Sequence, residues 1–340
     1  MNYDAPILIT GTAGFIGFHL TKHLLEQGHH VVGLDNMNPY YDIRLKEDRL
    51  SQLSHPHFQF QPCDLADQDA VMGLFSNCKP KIVIHLAAQA GVRYSIDNPS
   101  AYMDSNMIGF FNILEAARHH NINHLIYASS SSVYGASTDY PFSEKQAVNH
   151  PVSFYAATKK ANEAMAHSYA HLYGLPCTGL RFFTVYGPWG RPDMALWRFT
   201  DRIMKGEPIQ VFGEGKMSRD FTYIDDIIDG IIRLIPLPPQ PNPNWDSKAQ
   251  DQATSMAPWR ILNIGNNQPT ELEHFISVLE ETIGIKAVKE YLPMQDGDVR
   301  STAADITAIQ ELTGFQPRTK IEDGIPAFVE WYRRWHGNKG

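Results

Sequence analysis

The chain has 340 residues, room for one large α/β domain and a smaller lobe, and its 43% hydrophobic content suits a globular protein with a sizeable core. A net charge of −8, from 29 basic and 37 acidic residues, argues against a broadly basic face for nucleic acid or anionic lipid. Cys63, Cys78 and Cys177 are odd in number and far apart, which argues against a disulfide framework or a cysteine zinc site.

Pro6–Thr10 reads as a short buried strand closed by Gly11, and Phe15–Gln27 follows with helical spacing up to Gly28. His30–Asp35 is the second strand signal. Further strands are expected at Phe58–Pro62, Lys81–Ala87, His124–Ser129 and Cys177–Phe183. Helices are expected between them at Asp67–Asn77, Ala101–His120 and Phe154–Tyr173. This alternation predicts a Rossmann-type, doubly wound parallel sheet with right-handed crossovers. After Phe183 the rhythm breaks into turn-rich stretches and short elements, and Pro236–Pro258 reads as a long surface loop. A strand at Ile261–Ile264 and helices at Glu271–Ile283 and Ile325–Trp335 complete the chain. The expected organisation is a dinucleotide domain over 1–183, with returning segments at about 221–235 and 261–283. Residues 184–340 mainly form a smaller mixed α/β lobe. No apolar run of about 18 residues and no basic leader appears, so a cytoplasmic location is expected.

Gly11-Thr12-Ala13-Gly14-Phe15-Ile16-Gly17 joins the first strand to the first helix with GxxGxxG spacing. Gly11 can take the tight turn, Gly14 admits a pyrophosphate close to backbone, and Gly17 lets helix and strand pack together. The helix N-terminus at Phe15 and Ile16 offers N–H groups to that anion. Asp35, 18 residues beyond Gly17, closes the second strand, where a carboxylate accepts from adenosine ribose hydroxyls and repels a 2′-phosphate. The pattern therefore predicts NAD rather than NADP. Asn36 follows it directly. Asp64-Leu65 fits the adenine edge, and Leu86-Ala87-Ala88-Gln89 offers small side chains where the cofactor passes close to backbone.

Tyr155 and Lys159 lie one helical turn apart, after a strand ending in Ser129-Ser130-Ser131-Ser132. A tyrosine is a poor base at pH 7 unless neighbouring positive charge lowers its pKa, and a serine hydroxyl can hold a substrate oxygen. Tyr155 is thus expected to serve as acid and base for hydride chemistry on a bound alcohol.

These residues, with the stretches LDNMNPYYDIRLKEDRL, HLAAQAGVRYS, YASSSSVYG, RFFTVYGPWGRPDMA, VFGEGKMSRDFTYIDD and PMQDGDVRST, make the chain resemble the extended short-chain dehydrogenase/reductases that modify nucleotide sugars. Within that group it resembles the UDP-glucuronate 4-epimerases over nearly its whole length. The resemblance implies Ser130, Tyr155 and Lys159 as catalytic residues, with Asn106 helping to position the nicotinamide end. It implies that Gln210, Arg219 and the Asp298–Arg300 region grip UDP in a nucleotide-sugar-binding lobe. It also implies a recycled NAD, a transient 4-keto sugar, and a homodimer built from the apolar faces of Ala101–His120 and Phe154–Tyr173. Burial of those faces within the monomer is the alternative.

A 4-keto glucuronate is a β-keto acid that loses carbon dioxide once its carboxylate bond aligns with the ketone. Thr184 stands where related galactose epimerases carry Asn, so Thr184, Ser130, Ser131, Ser132 and Arg191 are expected to hold the carboxylate. A UDP-glucuronate decarboxylase and another UDP-sugar 4-epimerase are the rival activities, and a non-catalytic NAD-binding sensor is the remote one. A 4,6-dehydratase calls for Asp-Glu where Ser131-Ser132 stands. His167 and His171 are i, i+4 without the Glu of a zinc hydrolase, so no metal is expected.

Overall fold

The computed structural model describes residues 5–246, 248, 251–295, 297 and 299–337. Ile7–Thr10 (β1) is buried at every position, the continuous pattern of a parallel strand covered on both faces. Phe15–Glu26 (α1), Val31–Asp35 (β2), Ile43–Ser51 (α2), Phe58–Pro62 (β3), Gln68–Cys78 (α3) and Ile82–His85 (β4) follow in alternation. Helix α2 falls in a stretch read from sequence only as part of the family resemblance. Its start is fixed by Asp42, whose carboxylate accepts from the Arg44 amide at 3.0 Å.

Ala101–His120 is not one helix. Two single turns, Tyr94–Asp97 (α4) and Pro99–Tyr102 (α5), lead into a π-helical segment at Met103–Ile108, and only Gly109–His119 (α6) is regular. A side chain at Gly109 would stand 2.9 Å from the Leu65 Cβ, so the helix passes against the Asp64–Leu65 loop as only glycine permits. His124–Ser130 (β5) precedes Phe154–Tyr173 (α7), a helix capped by the Ser153 hydroxyl on the Ala156 amide at 3.1 Å and stopped by Gly174 in the left-handed region. Cys177–Phe182 (β6) then completes the regular half of the chain.

The remaining elements are Thr184–Tyr186 (β7), Ala195–Lys205 (α8), Ile209–Phe212 (β8), Ser218–Tyr223 (β9), Ile224–Leu234 (α9), Trp259–Ile264 (β10), Pro269–Glu271 (β11), Leu272–Ile283 (α10), Lys289–Leu292 (β12), Thr307–Thr313 (α11) and Ile321–Gly337 (α12). Seven parallel strands form the main sheet in the order β10-β6-β5-β4-β1-β2-β3. The order reverses between β1 and β4, and ligands of such sheets bind outside the strand ends at that point. Helix α9 and strand β10 pack with the main sheet: Ile227 and Ile231 join its core, and β10 pairs with β6 along Trp259–Ile264. Helix α10 does not. Its Phe275, Ile276 and Leu279 pack with Trp197, Phe328 and Tyr332 in a separate core beneath the smaller lobe. The apolar stripe of α10 matches the faces of α8 and α12, so the expected returning segment ends with the strand. In that lobe β7, β9 and β11 form one short sheet and β8 and β12 another.

Candidate active site

One cleft of about 820 Å³ runs along the C-terminal ends of the main sheet and under the smaller lobe. Gly11, Gly14, Phe15, Ile16, Gly17, Asp35, Asn36, Asp64, Leu65 and Leu86–Gln89 line one arm. Ser130, Ser131, Ser132, Tyr155, Lys159, Thr184 and Arg191 line its centre, and Gln210 and Arg219 the other arm. Residues as far apart in sequence as Gly11 and Arg219 thus meet in one channel.

The glycine turn is built for a dinucleotide. Gly11 sits at φ +76, and a side chain there would meet the Ala87 backbone nitrogen at 2.8 Å. At Gly17 it would meet the Gly11 carbonyl at 2.1 Å, so helix and turn touch. No side chain caps the N-terminus of α1 at Gly14, and its amides face the cleft end of β1. Asp35 accepts from the Met37 amide at 2.8 Å and from Lys46 Nζ at 3.1 Å, both on Oδ1. Lys46 was not singled out in the sequence, although it lies in a quoted stretch. It compensates the Asp35 charge at the end of β2. Asn36 Nδ2 donates to Asp64 at 3.1 Å and ties the ends of β2 and β3 together.

Asn106 stands behind the wall rather than on it. Its Oδ1 accepts from the Gln89 amide at 2.9 Å, and its Nδ2 donates to the Gln89 carbonyl at 3.0 Å and to Thr158 Oγ1 at 3.1 Å. These bonds fix the Gln89 backbone to the Tyr155 helix. Any effect on the cofactor therefore passes through Gln89.

At the centre, the Tyr155 hydroxyl is pushed above its ordinary pKa by burial, against a lowering hydrogen bond from Ser130 and the nearby Arg191 charge. Lys159 donates to the Ala128 carbonyl at 2.9 Å, and burial lowers its ammonium to about 8. Burial dominates at Tyr155, and the protein groups that pull its hydroxyl down are Ser130 and Arg191. Ser130 Oγ accepts from the Ser132 amide and donates to the Ser132 hydroxyl, each at 3.2 Å. Ser129, by contrast, points into the core and donates to Glu163 at 2.7 Å.

Arg191 lies on the loop between β7 and α8 and is paired with Asp193, Nε to Oδ1 at 3.0 Å and Nη2 to Oδ2 at 2.8 Å. Asp193 lines the same cleft. Arg49, fully buried on α2, holds this loop from beneath by donating to the Trp189 carbonyl at 2.6 Å and the Gly190 carbonyl at 3.3 Å. Trp189 adopts φ +61, a left-handed conformation costly for so bulky a residue, and these bonds stabilise it there.

The other arm is fixed by backbone contacts. Arg219 donates to the Ser218 and Arg300 carbonyls at 2.9 and 3.1 Å. Arg300 is exposed and is not on the cleft wall; its carbonyl accepts from Arg219. Asp298 lies outside the described residues. Missed in the sequence were Arg93, Arg198 and Arg202, which also line the cleft. Burial, then Arg93 and Arg202, lower the Arg198 pKa, so like charges are crowded together on this wall of the cleft. The i, i+4 spacing of Arg198 and Arg202 on amphipathic α8 was the available signal. Among the described residues no cluster of His, Cys, Asp and Glu is arranged to hold a metal, and no helix is long and apolar enough to cross a membrane.

The profile of the NAD dependent epimerase/dehydratase family matches residues 7–244. The chain belongs to that family. It is 51% identical over 327 residues to a probable UDP-glucuronate 4-epimerase of Rhizobium meliloti, covering 96% of each chain. It is 53% identical over 330 residues to Protein CapI of Staphylococcus aureus, covering 97% of this chain and 99% of that one. Among solved structures it is similar to the UDP-glucuronic acid 4-epimerase of Bacillus cereus crystallised with UDP-glucuronic acid and NAD. There the TM-score is 0.86 and the identity 33%, over 97% of this chain and 99% of that one.

Proposed function

We infer that this family member is a UDP-glucuronate 4-epimerase that uses NAD, interconverting UDP-glucuronate and UDP-galacturonate. The observation that carries the reading is the meeting of the Ser130, Tyr155 and Lys159 groups with Thr184 and Arg191 at the centre of one cleft. Similarity to the Rhizobium and Bacillus proteins supports it.

NAD, when bound, supplies a reversible acceptor for the C4 hydride. Tyr155 takes the C4 hydroxyl proton and later returns one, while Ser130 holds the same oxygen. Lys159 lends positive charge beside Tyr155 and a donor to the nicotinamide ribose. The sugar turns over as a 4-keto species, so that both faces of C4 are presented in succession. Thr184, Ser131, Ser132 and Arg191 hold the carboxylate out of line with the ketone, which suppresses loss of carbon dioxide. Arg93, Arg198, Arg202, Arg219 and Gln210 receive the UDP moiety, guanidinium against diphosphate. Asp35, Asn36 and Asp64 receive the adenosine.

Incubation of the purified protein with UDP-glucuronate, followed by NMR, tests the reading. A UDP-galacturonate signal approaching equilibrium is the expected result; a UDP-pentose makes the protein a decarboxylase, and conversion of neutral UDP-sugars alone makes it another epimerase. A homodimer is proposed through α6, α7 and the preceding π-helical turn, where Met103, Ile108, Phe111, Phe154 and Leu172 are exposed on neighbouring helices. Light scattering of the eluted protein decides this, and a monomer mass removes the proposal.

A further inference from the structure

Arg191 is the charged group best placed to meet a sugar carboxylate, yet it already has one. Its Nε and Nη2 form a two-point pair with Asp193, at 3.0 and 2.8 Å, within the loop that carries both residues. Two parallel bonds of this kind are the strongest geometry a guanidinium can adopt with a carboxylate. The pair sits half-buried in the cleft, with a quarter of each side chain exposed. Burial alone would raise the Asp193 carboxyl, but the Arg191 guanidinium, by charge and hydrogen bond, holds it below the usual range, and the Tyr40 hydroxyl helps. Tyr40 comes from the segment that follows Asp35, and it stands with the Asp193 carboxylate against Gly91. The loop backbone is fixed separately, by Arg49 on the Trp189 and Gly190 carbonyls. The Arg191 Nη2 also donates to Met194 Sδ at 3.6 Å, so among the described residues the Nη1 edge of the guanidinium is left for an incoming anion.

We propose that Asp193 is a positioning residue that weakens the grip of Arg191 on the substrate carboxylate, so that the 4-keto sugar can turn over between the two hydride transfers. The proposal rests on the reading of the substrate as a UDP-uronate. An unpaired guanidinium would clamp that carboxylate through two points and bind the ground state tightly in one orientation. Tighter ground-state binding that must be undone before the second half-reaction lowers turnover. With Asp193 in place, the pair is neutral as a whole and offers a single-ended donor. It also sets a negative charge beside the incoming carboxylate. Together these favour a hold that orients the group and still lets it move.

The test uses the NAD-loaded protein with the Asp193→Asn and Tyr40→Phe substitutions. KM and kcat are measured by NMR with UDP-glucuronate, and affinities by calorimetry with UDP-glucuronate and UDP-glucose. Asp193→Asn is expected to bind UDP-glucuronate at least fivefold more tightly and to turn over at least tenfold more slowly, with UDP-glucose affinity changed less than twofold. Tyr40→Phe, which leaves the ion pair in place, is expected to change both quantities less than twofold. An unchanged or weakened affinity for UDP-glucuronate in Asp193→Asn overturns the proposal, as does an equal shift for UDP-glucose. If the unsubstituted protein binds UDP-glucuronate without epimerising it, the reading of the activity falls, while the contrast between the two sugars still decides the role of Asp193.

Discussion

Arg49 Nη1 donates to the Ala13 carbonyl at 2.8 Å, tying α2 to the glycine turn, and its Nη2 reaches the Trp189 carbonyl 140 positions further along the chain. One buried cation thus fixes both the cofactor turn and the loop that aims Arg191. No carboxylate neutralises it directly; burial lowers its pKa, while the Tyr41 hydroxyl and ring favour its charge. Arg49→Met removes these bonds and leaves buried carbonyls unpaired. A stability loss of roughly 3 kcal/mol is expected from charge-assisted hydrogen bonds of this number. Because both loops loosen together, NAD dissociates faster and kcat/KM for UDP-glucuronate falls at least tenfold even at saturating NAD. Unaltered kinetics in NAD-saturated protein refute the coupling.

Thr184 opens β7 on the cleft wall, directly paired with Phe221 of β9. Replacing its hydroxyl with a methyl in Thr184→Val keeps volume and removes a donor to the substrate carboxylate. The expected outcome is a rise of about tenfold in the share of turnovers that end in carbon dioxide and a UDP-pentose, the size of one lost hydrogen bond to a charged group. Trapped carbon dioxide from carboxyl-labelled substrate reads this directly, and a share equal to that of the unsubstituted protein removes Thr184 from the carboxylate site.

The regular half of the fold was readable because fully apolar strands and glycine-punctuated helices leave little choice of local structure: Phe154–Tyr173 and Phe58–Pro62 fall where the spacing places them. Where a side chain is spent on tertiary contact the pattern misled. Ala101–His120 has helical spacing throughout, yet Asn106 and Gly109 serve the Gln89 and Leu65 loops, and the helix is π-wound between them. The site divides in the same way. Gly11, Asp35 and Tyr155 carry short-range signatures, because their neighbours in sequence are their neighbours in space. Arg49, Arg93 and Asp193 act through partners far along the chain or through geometry that only the folded loop creates, and nothing periodic marks them.

Asp35 and Lys46 form a buried pair 3.1 Å long on the cleft wall, with under a tenth of either side chain exposed. Asp35→Ser removes the carboxylate that repels a 2′-phosphate and releases Lys46 to attract one. NAD affinity is expected to fall at least tenfold, from lost bonds to the ribose hydroxyls, and NADP affinity to rise by a similar factor. Adding Lys46→Met to Asp35→Ser should abolish the NADP gain and leave the NAD loss. Fluorescence titration of NADH and NADPH into cofactor-stripped protein measures both, and an NADP gain that survives the second substitution assigns it to another group.

Lys159 bears on stability as well as activity, because burial lowers its ammonium from the ordinary 10.5 to about 8. Below pH 8 both folded and unfolded chains carry the proton, and the folded state bears the full cost of burying the charge. Between about 8 and 10.5 the folded chain has released the proton while the unfolded chain still binds it. The unfolded state then holds more protons, so this contribution to stability rises with pH across that window and levels off above it. Lys159→Met removes the titrating group and with it the slope. In cofactor-stripped protein the variant should therefore melt above the unsubstituted chain near pH 7, offset in part by the lost bond to the Ala128 carbonyl, and the difference should shrink as pH climbs from 8 to 10. Thermal melts across that range check the sign. A gap that stays constant or widens with pH would mean that Lys159 keeps an ordinary pKa in the folded chain, and that the charge needed beside Tyr155 is held at no cost to the fold.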